Sequence, residues 1–402
     1  MAKGEQAGAR RVRRKDSAYV ARGGQEQGFQ IVHSEGSFVF DVHGRRYIDF
    51  EMGWCVGNLG WNHPAILERM RTYKGPSYVH ATWVNGPRAE LAKQLCDLAP
   101  GKLTKVFRAT GGSEAVDIAL QLAMAYTGRR AFVSIDGAYH GNVVGAVSVG
   151  ERAYRDTYPN LLQRCHRLKP PLNEKALERL QRLLEKRDVA ALIMEPVVMN
   201  LAVLLPEPGF VRGAQKLCRR YGTLFIADEV ACGFGRTGRL FASEHEGLEP
   251  DILCLAKALT GGHAPMGATL VTERIAKKLG EDVAFHSTYG WHPLSVEAAL
   301  ATLSFFRVNP RRLLANVEQR GAQIESRLRL MPWRSPAEIR RRGLAIAVEF
   351  EDDDYGDQVA QRCLEEGLIV SGEGDALCLF PALTVDEQTV TEGLNLLERC
   401  LT

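Results

Sequence analysis

The chain contains no run of about 18 or more apolar residues, so it offers no segment long enough for a membrane-crossing helix. It has no C-x-x-C pair; nine cysteines, an odd number, are scattered from Cys55 to Cys400. That usage fits reduced thiols and a cytoplasmic protein rather than a disulfide framework. There is no H-E-x-x-H, no Walker A string and no G-x-S-x-G, and the ten histidines show no metal-ligand spacing, so no residue is assigned to a metal. Net charge is also scarce: the formal value is +3, and Arg10, Arg11, Arg13, Arg14 and Lys15 more than account for it. The rest of the chain is slightly negative, which removes the electrostatic footprint expected of a nucleic-acid binder.

What is present is ordinary globular composition. With 402 residues, 45% apolar and 25% charged, the chain is long enough for two to three domains of roughly 150 residues each and a large core. The first thirty residues, rich in Gly, Gln and Arg, read as a loose arm. Phe38 to Phe50 carries apolar stretches on either side of Asp41-Val42-His43-Gly44, which predicts an antiparallel hairpin turning near Gly44. From about residue 105, short aliphatic runs alternate with amphipathic ones. Strands are expected at 105–109, 131–135, 189–194, 223–227, 252–256 and 268–272, with helices at 114–126, 174–186 and 209–221 between them. Such alternation predicts a mostly parallel, doubly wound α/β sheet, followed by helices over 294–330 and a smaller α+β unit. The expected organisation is a basic arm over 1–33, a joining segment over 34–60, a large domain over 61–293 and a small C-terminal domain over 294–402.

In an open α/β sheet ligands gather at the carboxyl ends of the strands, and three strings there carry chemistry. Thr110-Gly111-Gly112-Ser113-Glu114-Ala115 leads from a strand into a helix, where glycines admit a ligand close to the backbone and free N–H groups favour an anion. A tight turn capped by Ser113 would produce the same string. Asp228-Glu229-Val230 ends the 223–227 strand; a carboxylate there can hold a cationic ring nitrogen or merely shape a turn. Lys257 follows the 252–256 strand, placed either as a Schiff-base amine or as a solvated surface charge.

Order and spacing together are more specific than any of the three. The Asp228-Glu229-Val230, Gly233-Phe234-Gly235-Arg236-Thr237-Gly238 and Lys257 block resembles the class III aminotransferases, which depend on pyridoxal phosphate (PLP) and share the aspartate-aminotransferase-type fold, fold type I. The resemblance runs from about Ser34 to the C-terminus. It implies catalytic roles for Lys257 and Asp228, phosphate binding at Gly112 and Ser113, ring stacking by Tyr139 with His140 beside the cofactor, an acid behind the ring at Glu195 and an apolar contact from Val230. Thr288 matches a threonine that reaches the phosphate of the neighbouring subunit, which implies a homodimer with its active site at the interface.

The departures from the family concern the substrate. Cys378 stands where many members place an arginine for glutamate or 2-oxoglutarate, and Asn200 stands where that arginine's glutamate partner would be. Loss of both halves of an ion pair reads as a pocket rebuilt for another substrate, since losing one would strand a charge. Trp54, in Gly53-Trp54-Cys55-Val56, resembles the pocket tryptophan of ω-amine transaminases, and Gly290-Trp291-His292-Pro293 is expected to place bulk near the cofactor and dimer. The expectation is transamination by PLP, passing through its pyridoxamine form, between a small or carrier-borne amine and an aldehyde or ketone lacking an arginine-bound α-carboxylate. The alternatives are an aminomutase of the glutamate-1-semialdehyde type, suggested by Asn200 and its flank, and a non-catalytic binding protein on the same fold.

Overall fold

The computed structural model describes residues 3–21, 29–279, 285–308 and 310–401. The N-terminal segment forms β1 (Ile31–Glu35), β2 (Phe38–Asp41) and β3 (Arg46–Asp49); β2 and β3 pair antiparallel, as the hairpin pattern predicts. Lys3–Tyr19 is an α-helix, where the composition suggests a loose arm. Its run of Ala, Arg, Lys, Gln and Glu contains strong helix formers and no proline, and its basic residues Arg10 to Lys15 stay exposed.

The central sheet contains β4 (Leu103–Ala109), β5 (Ala131–Ile135), β6 (Cys165–Leu168), β7 (Val189–Met194), β8 (Leu224–Asp228), β9 (Ile252–Leu255) and β10 (Gly267–Thr272). Its spatial order is β4-β10-β9-β8-β7-β5-β6. β10 is antiparallel to both neighbours, and the remaining pairs are parallel. Strand side chains alternate between two apolar layers: Leu224 and Ile226 enter one, Phe225 and Ala227 the other. Each large side chain so buried contributes about 1.5–3 kcal/mol. Helix Gly112–Thr127 covers one face, while Glu174–Leu184 and Phe210–Tyr221, packed on each other, serve the other. The sheet is therefore doubly wound. β6 is the strand that the apolar pattern misses, because Cys165-His166-Arg167-Leu168 lies at the sheet edge with only Leu168 fully buried.

After two long helices, Pro293–Val308 and Pro310–Leu328, a second sheet is built from β11 (Ala337–Arg342), β12 (Ala345–Phe350), β14 (Ser371–Glu373) and β15 (Ala376–Leu379). Between them β13 (Leu368–Ile369) pairs parallel with β3, binding the C-terminal region to the N-terminal segment. No helix among the described residues is long and apolar enough to cross a membrane.

Candidate active site

Because β4, β5, β7, β8 and β9 run in the same direction, the turns that follow them converge. They border a cavity of about 980 Å³. Every candidate site residue read from the sequence lines it except Thr288 and Cys378.

One end is the turn after β4. The helix that begins at Gly112 is 16 residues long and opens its unpaired N–H groups toward the cavity, as an anion site requires. Gly112 has no room for a side chain: a Cβ there would lie 2.9 Å from Val230 Cγ1. Ser113 Oγ accepts from the Asn142 amide at 3.1 Å, tying this turn to the Tyr139–Gly141 loop. Gly267, at the start of β10, backs directly onto Gly111, and a Cβ there would collide with the Gly111 carbonyl. Trp291 secures that strand end, donating from Nε1 to the Gly267 carbonyl at 2.9 Å. Trp291 is 1% exposed, so its bulk lies in the core behind the Gly111–Gly112 turn, beside the cavity without lining it.

The second group closes β8 and β7. Asp228 is buried, with Oδ1 accepting from the Val230 amide at 3.1 Å and Oδ2 accepting from His140 Nδ1 at 2.7 Å. His140 Nε2 is buried and has no partner among the described residues. Glu195 accepts from the Met199 amide at 3.1 Å; burial first, and the Asp228 charge second, push its carboxyl well above the usual range. Glu229 turns away from the cavity. Its two oxygens accept from the Ala242 and Ser243 amides at 2.6 and 2.8 Å, yet burial still raises its carboxyl to about 7.

Lys257 follows β9 in a left-handed backbone conformation, φ 43°. That conformation costs a non-glycine residue on the order of 1–2 kcal/mol and is the kind of strain that collects at functional sites. Opposite it, Met52, Gly53, Trp54 and Cys55 are all left-handed, φ 50–65°. Asp49 holds this turn, Oδ1 accepting from the Glu51 and Met52 amides at 2.9 and 2.7 Å and Oδ2 from Trp61 Nε1 at 2.8 Å. Trp54 is thereby presented with its ring centroid 5.9 Å from Lys257 Nζ, packed at 4.9 Å against Phe380 with the rings tilted by 52°.

Asn200 does not stand idle in the vacated ion-pair position. Its Oδ1 accepts from the Tyr139 amide at 3.1 Å and its Nδ2 donates to the Gly137 carbonyl at 2.7 Å, so it clamps the loop that carries Tyr139 and His140. Cys378, on β15, is fully buried in an apolar cluster with Cys55, Ala347 and Phe380; the cavity wall passes through Ala376 and Asp375 instead. Thr288 is exposed and away from the cavity of its own chain. Two arginines, Arg236 and Arg340, are already engaged, Arg340 at the cavity's edge, where it donates to the carbonyl of the lining residue Ala202 and pairs with the lining residue Glu349. Arg236, fully buried, donates to the Leu344 and Pro381 carbonyls and to Asn58 Oδ1, while Arg340 pairs with Glu338 and Glu349. Motif reading missed the acids at the outer wall, Glu151, Glu349, Glu373 and Asp375, since they come from separate segments that no short string unites.

A strained lysine, a buried aspartate–histidine pair and a glycine-led helix N-terminus sharing one cavity on a doubly wound sheet define an enzyme built around a phosphorylated cofactor. Residues 19–401 match the model of the class-III aminotransferase family, and the chain belongs to that family. Among solved structures it is similar to the adenosylmethionine-8-amino-7-oxononanoate aminotransferase of Methanocaldococcus jannaschii (30% identity, TM-score 0.91, covering 98% of this chain and 99% of that one). An amine transaminase from an uncultivated Pseudomonas species, in its PLP-bound form, is 29% identical (TM-score 0.87, 95% and 97% covered). An engineered thermostable omega transaminase is 26% identical (TM-score 0.91, 96% and 97% covered). The protein is thus a PLP-dependent aminotransferase of fold type I. The residues present fit that cofactor: a glycine-led helix N-terminus and the buried Asp228–His140 pair border the same cavity as Lys257.

Proposed function

We propose that this enzyme moves an amino group between an amine donor and an aldehyde or ketone acceptor that carries no arginine-bound α-carboxylate, a biosynthetic intermediate in its pathway. The supporting observation is the convergence of Lys257, Asp228 and the Gly112 turn on a cavity whose wall holds no arginine among the described residues. When bound, PLP supplies a conjugated pyridinium that takes up the electron pair released as an amine's carbon loses its proton. Gly112, Ser113 and the helix amides hold the phosphate. Asp228, kept in place by His140, would hold the cofactor's ring proton, and Val230 and Tyr139 would pack against the cofactor. Glu195, on the cavity wall beside Asp228, would donate a hydrogen bond from its raised carboxyl toward the cofactor's surroundings. Lys257 Nζ holds the cofactor covalently and, once displaced by the donor, moves the proton off the donor's carbon. Thr288 reaches the phosphate site of a second subunit, which accounts for its exposure here and makes the working unit a homodimer.

Half-reaction kinetics with glutamate and with simple primary amines test the reading. A glutamate α-carboxylate meets no guanidinium and is desolvated without a charged partner. Glutamate is therefore expected to convert the holoenzyme to its pyridoxamine form poorly, and a simple amine or small amino acid better. Efficient conversion at low millimolar glutamate overturns the proposal.

A further inference from the structure

The charges on the cavity wall are one-sided. Apart from Lys257, every charged residue lining it is an acid: Glu195 and Asp228 at the cofactor end, and Glu151, Glu349, Glu373 and Asp375 toward the mouth. Glu349 is taken by Arg340. Glu151, Glu373 and Asp375 have no ion pair among the described residues. They stand beside aromatic walls whose faces also attract cations, Trp54 on one side and the edge-to-face pair Tyr139 and Tyr154, centroids 5.9 Å apart, on another. A continuous path leads from the reacting end to the mouth. It starts at Lys257 Nζ, 5.9 Å from the Trp54 ring; Trp54 Nε1 donates to Ser371 Oγ at 3.0 Å; and Ser371 Oγ donates to Glu373 Oε1 at 3.1 Å.

We propose that the amine donor carries a second ammonium, separated from the reacting amine by an alkyl spacer, and that Glu373, aided by Glu151 and Asp375, holds that ammonium at the cavity mouth. This rests on the reading of the cavity as the transamination site. It explains the missing arginine as an inversion of charge preference: where a distal carboxylate would meet three unpaired acids, a distal ammonium meets its counter-ions. Trp54 then has two tasks, covering the spacer with its ring and orienting Glu373 through Ser371.

Three donors that share an aminobutyl chain separate the cases: 1-aminopentane, 1,4-diaminobutane and 5-aminopentanoate, which differ only in a distal methyl, ammonium or carboxylate. Conversion of the PLP holoenzyme to its pyridoxamine form is followed in single turnovers at low salt. The diamine is expected to exceed the monoamine by about tenfold in rate over dissociation constant, with the amino acid last, and added salt narrows the gap. In Glu373→Gln the diamine-to-monoamine ratio falls toward one; taken within one preparation, that ratio is insensitive to any fraction of misfolded protein. Equal or lower use of the diamine, or a ratio unchanged in both Glu373→Gln and Asp375→Asn, overturns the proposal. If the monoamine or amino acid is converted without any diamine preference, this inference fails while the transamination reading stands. If none of the three is converted, and no other amine is, the transamination reading itself fails.

Discussion

At the scale of single residues, two neighbouring carboxyls at the end of one strand are given opposite tasks by their surroundings. Asp228 faces the cavity with a histidine on one oxygen, whereas Glu229 faces the core with amides on both. Replacing Asp228 by Asn removes the charge that holds the ring-nitrogen proton, so the half-reaction in stopped-flow absorbance is expected to slow by about 100-fold or more while the cofactor still binds. A wild-type rate would show that Asp228 is not the ring's partner. For Glu229 the consequence is thermodynamic. Its folded carboxyl lies at about 7 against an ordinary value of 4.5, mainly through burial. The native state therefore keeps the proton longer than the unfolded chain does. The resulting stabilisation is complete below 4.5 and is lost as pH rises through 7. Relative to wild type, Glu229→Gln should gain on the order of 3 kcal/mol between acid and mildly alkaline pH, read from urea midpoints at a series of pH values. A difference independent of pH would refute the raised carboxyl.

At the scale of elements, the positions of the catalytic turns follow from strand direction, and much of that is legible in the amino-acid pattern alone. Aliphatic runs such as Val189–Met194 and Leu224–Asp228 are buried on both faces, which is why they stand out as strands and why the turns after them can be picked as ligand sites. Elements whose burial is partial are not legible in this way: the edge strand Cys165–Leu168 and the helix Lys3–Tyr19, mostly exposed from Arg10 onward, lack the apolar signal. Within the site, Lys257 and Asp228 can be read from spacing against a known family. The Asn200 clamp, the Trp291 prop and the acids Glu151, Glu373 and Asp375 cannot, because each acts on or beside residues far away in the chain. The prop leads to a test. Gly267 supports the phosphate turn from behind with no space between them, so Gly267→Ala must push the Gly111 backbone forward. The variant is expected to keep its far-ultraviolet circular dichroism yet release PLP at least tenfold more readily in equilibrium dialysis, a change of about 1.4 kcal/mol. Unchanged retention would mean that the turn is not where the phosphate is held.

At the scale of the whole molecule, the N-terminal segment, the large sheet and the C-terminal sheet each contribute one wall. Trp54 comes from the first, Lys257 and Asp228 from the second, and Glu373 and Asp375 from the third. The parallel pairing of β13 with β3 keeps the first and third together, so the spacing between cofactor end and mouth is set by the packing of the entire chain. The cofactor-end residues Lys257 and Asp228 thus rest on the central sheet, while the outer wall is built by other elements.

All of this depends on Lys257 being the amine that holds the cofactor. Borohydride reduction of the holoenzyme, followed by proteolysis and mass mapping, measures that directly. The account predicts a single pyridoxyl label, on Lys257, in the peptide that joins β9 to Ala258-Leu259-Thr260. A label on any other lysine, or none on this one, would contradict it.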